Sequence, residues 1–187
     1  MPTPTTEQLD AAVNALRNDG VLACPTEAVW GLSCDPGSEA AVSRLLALKN
    51  RPVEKGLILV AASEQQLDFL LADLSPEQRA TLSASWPGPN TWLVPHQGRV
   101  QPWVHGQFAS VAVRVSAHPV VRALCEAWGG PLVSTSANPA GADPATVADE
   151  VIEYFGDSLD GIVSGELGGA SGPSQIRDLA TGEVIRA

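Results

Sequence analysis

Short apolar runs recur along the chain: VLAC at 21–24, LILVA at 57–61, TWLV at 91–94, ASVAVRV at 109–115 and PLVS at 131–134. Between them lie longer stretches whose apolar residues return every three or four positions. Runs of that length suit strands and the intervening period suits helices, so the order predicts an α/β fold with a twisted, mostly mixed sheet flanked by helices. In TEQLDAAVNALRNDG, Leu9, Val13 and Leu16 share a face, with Thr6 as the N-cap and Gly20 as the stop. SEAAVSRLLALK repeats the pattern behind Ser38 and must end before Pro52. Further helices are predicted at 63–72, at 75–86, from His118 to Trp128 and over TVADEVIEYFG, with GIVS, QIRD and EVIR as short terminal strands. GGASGPS at 168–174 reads as a flexible loop.

A chain of 187 residues supports one substantial core, so a single domain is expected. With 44% hydrophobic and 17% charged residues it is too apolar for disorder. Its longest apolar stretch, LILVAA, falls well short of the roughly 20 residues of a membrane span. The first residues, MPTPTTEQLD, lack the pattern of a secretion signal, and a cytoplasmic location is expected. Cys24, Cys34 and Cys125 are odd in number and unclustered, which fits small packed side chains better than a disulfide framework or a zinc site.

A net charge of −10 works against general nucleic-acid binding, so the placement of the few cations is informative. Both lysines, Lys49 and Lys55, fall in KNRPVEK together with Arg51. Such a cluster suits an anion, and equally suits the carboxyl end of a helix dipole. Four polar segments stand at the ends of apolar strands: PTEAVWGL, KNRP, Arg114 in VAVRVS, and STSAN at 134–138. Ligands collect where loops leave the strands of open α/β sheets, so these segments could converge on one crevice. Arg114 interrupts a run of valines and needs a partner, either a ligand carboxylate or a protein one such as Glu27 or Asp35. Thr26 serves equally well as a turn residue after Pro25. GxxxxGK[ST], GxSxG and HExxH are all missing, and His96, His105 and His118 lack metal spacing. Positioning and charge stabilisation therefore fit better than covalent catalysis.

PTEAVWGLSCDP, LKNRPVEKGLILVA, WPGPNTWLV, VAVRVSAHPVV, PLVSTSANPAG and GPSQIRD, in this order, closely resemble the YrdC/TsaC family of threonylcarbamoyl-AMP synthases. The likeness runs from about Leu9 to Arg186, which places a YrdC-like domain with a concave substrate surface over 6–187. The resemblance implies condensation of L-threonine, bicarbonate or carbon dioxide and ATP into threonylcarbamoyl-AMP and pyrophosphate. ATP is then a substrate that carries magnesium, and no protein metal site is implied. A separate transferase complex would move the product onto the tRNA adenosine next to the anticodon. By the same resemblance, Thr26, Arg114, Ser134 and Ser174 face threonine. Lys49, Arg51, Ser110, Ser136, Asn138 and Arg186 face ATP, with Lys49, Arg51 and Arg114 as the catalytic cations.

Some positions depart from the family pattern. Trp30 stands where relatives often have Tyr, Val60 where many have a His, and Ala140 and Pro144 in place of small polar residues. Any contact from that turn must then come from the backbone or from Thr146. Two other readings are a carbamoyl-adenylate module like that of hydrogenase maturation proteins and a non-catalytic RNA-binding or ribosome-associated protein. The first lacks its zinc and acylphosphatase segments here, and the acidic charge opposes the second, leaving at most weak RNA binding at Lys49, Arg51, Lys55 and Arg114.

Overall fold

The computed structural model describes residues 1–187. In chain order the strands are β1 (Leu22–Pro25), β2 (Trp30–Cys34), β3 (Ile58–Ala61), β4 (Asn90–Pro95), β5 (Ser110–Val115), β6 (Leu132–Ser136), β7 (Gly161–Ile162), β8 (Gln175–Asp178) and β9 (Val184–Arg186). The α-helices are α1 (Thr6–Arg17), α2 (Glu39–Lys49), α3 (Asp68–Leu71), α4 (Pro76–Ser85), α5 (Pro102–His105), α6 (Pro119–Trp128) and α7 (Ala148–Phe155). One nine-stranded sheet runs β7-β1-β2-β6-β3-β5-β4-β8-β9. It is mixed, with parallel pairs β1/β7, β3/β5 and β4/β8 among antiparallel neighbours.

Most predicted elements form where their local signals lie. Ser38 caps α2 by accepting from the Ala41 amide, and Ser75 caps α4 in a reciprocal box with Gln78. Thr5, not Thr6, caps α1, because its hydroxyl meets the Gln8 amide while Gln8 returns a bond to the cap. Residues 63–72 do not form one helix but a 3-10 turn, Glu64–Leu67, followed by the single turn of α3. WGLSC, read within a polar segment, is the wholly buried strand β2. Gly31 and Ser33 weaken its local signal, and pairing on both sides with β1 and β6 supplies what propensity does not.

Side chains alternate across a strand, and here the two faces differ in character. Trp30, Leu32, Leu59, Val94, Val111, Val113 and Val133 point into the larger core, which also takes buried residues of α2, α3, α4, α5 and α7. The opposite face is covered at one end only. There α1 and α6 pack Leu16, Val120 and Leu124 against Leu22, Val60 and Leu132 in a second, smaller core. Farther along the same strands, the same face presents Ser33, Ser134, Ser136, Ser110, Ala112 and Arg114. No helix of the chain is long and apolar enough to cross a membrane.

This two-faced design separates packing from function at adjacent residues. Leu59→Ala on the core side should cost about 2–5 kcal/mol in chemical denaturation. Ala112→Leu, on the open side of the neighbouring strand, should change stability by less than about 1 kcal/mol while obstructing the cleft. Equal destabilisation by both would contradict the assignment of faces.

Candidate active site

A cleft of about 500 Å³ lies over the open face of the sheet. That volume lies within the range of small-molecule sites. Its floor is made by alternating residues of β3, β4, β5 and β6, including Ile58, Leu93, Ser110, Ala112, Arg114 and Ser134. Around it stand the 51–57 turn, His105 and Phe108, the 26–29 turn, and Pro173, Ser174 and Arg186. The cleft therefore sits on a sheet face, and Ser110, Arg114, Ser134 and Ser136 belong to strands rather than to loops beyond strand ends. Arg114 does not break an alternation either. SVAVRV places three valines in the core and Ser110, Ala112 and Arg114 in the cleft.

Charge is distributed unevenly. Of 11 cations in the chain, Arg51, Lys55, Arg114 and Arg186 line the cleft, whereas of 21 acidic residues only Glu27 does. Burial, followed by the nearby Arg114, lowers the pKa of Arg186, and burial alone lowers that of Arg51. Four cations around one cleft with a single carboxylate make a site that favours anions.

Arg114 is 8% exposed, and its Nη1 lies 2.7 Å from Glu27 Oε2. Burial alone would raise the Glu27 pKa, but the adjacent Arg114 charge and the hydrogen bond from Ser116 outweigh it and hold the carboxylate below its ordinary range. Arg51 folds back so that Nε and Nη2 donate to the Gly56 carbonyl at 3.3 and 3.0 Å. Gly56 turns there with φ +69°, and a Cβ would lie 3.1 Å from the His105 carbonyl oxygen.

Lys49 stands elsewhere. It is 5% exposed, does not line the cleft, and neither caps its helix dipole nor reaches open solvent. Its ammonium donates to the carbonyls of Ser136 and Asn138 at 2.6 and 2.9 Å and to Asn138 Oδ1 at 3.4 Å. The Ala140 amide returns a bond to the Lys49 carbonyl at 2.8 Å. Ser136 Oγ donates to Asn138 Oδ1 at 2.6 Å, and Asn138 Nδ2 donates to the Ala142 carbonyl. The polar row is thus largely spent on its own shape, with Lys49 as its clamp; Ser136 reaches the cleft and Asn138 does not.

Thr26 lines the cleft and also closes its own turn, donating to the Val29 carbonyl at 2.6 Å. Ser174 shares a 2.6 Å hydrogen bond with Thr91, and its carbonyl accepts from Arg186 Nη2 at 2.8 Å. Thr135, out of phase with its neighbours, pairs with Leu32. Thr146 donates to Glu150 at the start of α7 and does not line the cleft, which leaves the backbone of that turn as the nearer donor. Val60, where relatives often have a His, pairs with Arg114 and is buried in the smaller core. Burial pushes the thiols up, to about 11 for Cys24 and about 12 for Cys34 and Cys125, which leaves them unreactive. Sequence reasoning missed His105 and Phe108, both on the cleft wall; neither lies in a motif or a charged cluster.

Residues 14–187 match the family model Sua5/YciO/YrdC, described as telomere recombination. The chain belongs to the Sua5/YciO/YrdC family. Within it, the threonylcarbamoyl-AMP synthase of Saccharophagus degradans is 58% identical over 96% of this chain and 94% of its own. That of Pseudomonas paraeruginosa is 61% identical over 94% of each. P. abyssi Sua5 complexed with L-threonine superposes with a TM-score of 0.86 at 30% identity, over 97% of this chain and 54% of that one. The chain thus spans about half of that Sua5. E. coli YciO, at 22% identity and a TM-score of 0.86, shares the fold.

Burial and then Arg51 bring the Lys49 ammonium from 10.5 down to about 8. Between those values the unfolded chain still holds a proton that the folded one has released, so this group adds stability as the pH rises across that window. In Lys49→Met that contribution is absent. The stability of the native protein relative to this variant should therefore increase from about pH 8 to about pH 10.5; a flat difference would show that the ammonium is not held down.

Proposed function

We propose that this family member is an L-threonylcarbamoyladenylate synthase, using L-threonine, bicarbonate or carbon dioxide and ATP. The observation that carries the reading is a cationic cleft in an acidic protein, with four cations and one carboxylate lining it. The naming of relatives more than half identical to it supports the same activity. L-threonine, found with the Sua5 relative, is then a substrate of this chain.

In this mechanism the unprotonated threonine amine forms a C–N bond to carbon dioxide and releases a proton, giving a carbamate. A carbamate oxygen attacks the α-phosphorus of ATP in line, and the bond from that phosphorus to the β-phosphate bridging oxygen breaks to release pyrophosphate. Arg114 takes the threonine carboxylate through the part of its fork that Glu27 leaves free, with Thr26, Ser134 and Ser174 around the amino acid. Arg51, joined by Lys55, meets the triphosphate, with Ser110, Ser136 and Arg186 as further nucleotide contacts. Lys49 and Asn138 shape the Ser136 loop from behind. Glu27 is the one carboxylate lining the cleft and is already engaged with Arg114, so magnesium would arrive as part of the ATP substrate and would supply charge neutralisation there. Holding the carbamate against the α-phosphate limits its loss to water.

The product is used by a separate transferase complex that acts on tRNA, in the cytoplasm. An RNA-binding role without catalysis is disfavoured by the net charge of −10, and of the cations that would meet phosphates Arg51, Lys55 and Arg114 line the cleft while Lys49 is buried behind the Ser136 loop. The structure of HypF, 17% identical over 27% of that chain, has this fold as well, and that likeness concerns the fold alone.

Pyrophosphate release should require ATP, bicarbonate and threonine together, and turnover without threonine would refute the assignment. Arg114→Ala should raise the threonine KM about 10- to 100-fold, as expected for loss of hydrogen bonds to a charged group, with a smaller effect on ATP. Arg51→Ala should do the reverse. An exchange of these two effects would mean that the substrates lie the other way round.

A further inference from the structure

Of the four cations lining the cleft, Arg114 alone has a carboxylate against it. Glu27 Oε2 is 2.7 Å from Arg114 Nη1, yet this buried oxygen accepts no hydrogen bond of good geometry. The contact is an ion pair and not a bidentate fork. The other carboxylate oxygen is firmly held. Oε1 accepts from Ser116 Oγ at 2.6 Å and from the Ala117 amide at 3.3 Å. Ser116 is anchored in turn, since its Oγ accepts from the His118 amide at 3.0 Å. His118 Nδ1 accepts from the Val120 amide, so the ring proton sits on Nε2 and is donated to the Glu166 carbonyl at 2.9 Å. The carboxylate therefore rests on a buried hydrogen-bond chain that leads away from the cleft.

We propose that Glu27 is a positioning residue that fixes one edge of the Arg114 guanidinium and leaves the opposite edge to take the carboxylate of the amino-acid substrate. This rests on the reading that Arg114 holds that carboxylate. A guanidinium already oriented loses less side-chain freedom on binding. Partial neutralisation has a second effect. It makes Arg114 less attractive to a polyphosphate than Arg51 and Lys55, neither of which has a carboxylate partner, so the monoanion and the polyanion are sorted to different cations.

The test is pyrophosphate-release kinetics on the full chain with Glu27→Gln, Ser116→Ala, Arg114→Ala and the Glu27→Gln/Arg114→Ala double variant. Glu27→Gln should raise the threonine KM about tenfold with the ATP KM unchanged within about twofold. Adding Glu27→Gln to Arg114→Ala should raise the threonine KM no further, because the carboxylate acts through the guanidinium. Ser116→Ala keeps the charge and removes its anchor; it should shift the threonine KM in the same direction by less, and it carries the test if Glu27→Gln does not fold. Unchanged threonine KM in the Glu27 and Ser116 variants, beside a raised value in Arg114→Ala, would overturn the proposal alone. So would equal rises for both substrates, or additive effects in the double variant. An unaltered threonine KM in Arg114→Ala would overturn the underlying reading, and the proposal with it.

Discussion

Successive side chains on a strand point to opposite faces, and nearly everything in this structure follows from how unequally the two faces are used. One face lies under five helices and collects the large aliphatic and aromatic side chains. The other is covered only where α1 and α6 reach it. Beyond that cover the same strands must present side chains to a cavity, and those chains are small or polar: Ser110 and Ala112 on β5, Ser134 and Ser136 on β6, and Gly31 on β2. Small side chains keep the floor low and hydroxyls keep it hydrated. The cleft is thus a region of sheet from which packing has been withheld.

Electrostatics then gives the cleft its chemical character. A guanidinium on the floor of a sheet is tolerated because Glu27 stands beside it. A buried ammonium behind the polar loop is tolerated because it has a carbonyl or amide oxygen for each of its N–H groups. Both arrangements use charge to hold geometry, one at the Arg114 fork and one at the Ser136–Asn138 turn. Neither is an efficient source of stability, since desolvation opposes the attraction in each case. What they provide is a defined position for groups that would otherwise be mobile.

Much of this was legible residue by residue. Ser38 and Ser75 stand as N-caps before apolar periods and act as caps, and His118 begins α6 as its position before Pro119 implies. The strands rich in valine and leucine lie where their runs lie. β2 was not legible, because Gly31 and Ser33 carry little strand preference and their pairing partners are distant in sequence. Lys49 was legible as a significant cation but not as a clamp, since its acceptors lie 87 and 89 positions away. Glu27 was one of two carboxylates open to Arg114, and only proximity chose between it and Asp35.

By itself, then, the sequence determined the class of fold, the ends of most helices, the motifs of the family and the types of group available for chemistry. These depend on local backbone preference and short-range periodicity, which act within a few residues. Tertiary structure alone decided which sheet face stays open, that Arg51, Lys55, Arg114 and Arg186 share one cleft, and which carboxylate holds Arg114. Those outcomes depend on strand order and on side-chain distances across the sheet. Charges interact through space, and the order β2-β6-β3-β5-β4 brings together residues that the chain keeps far apart.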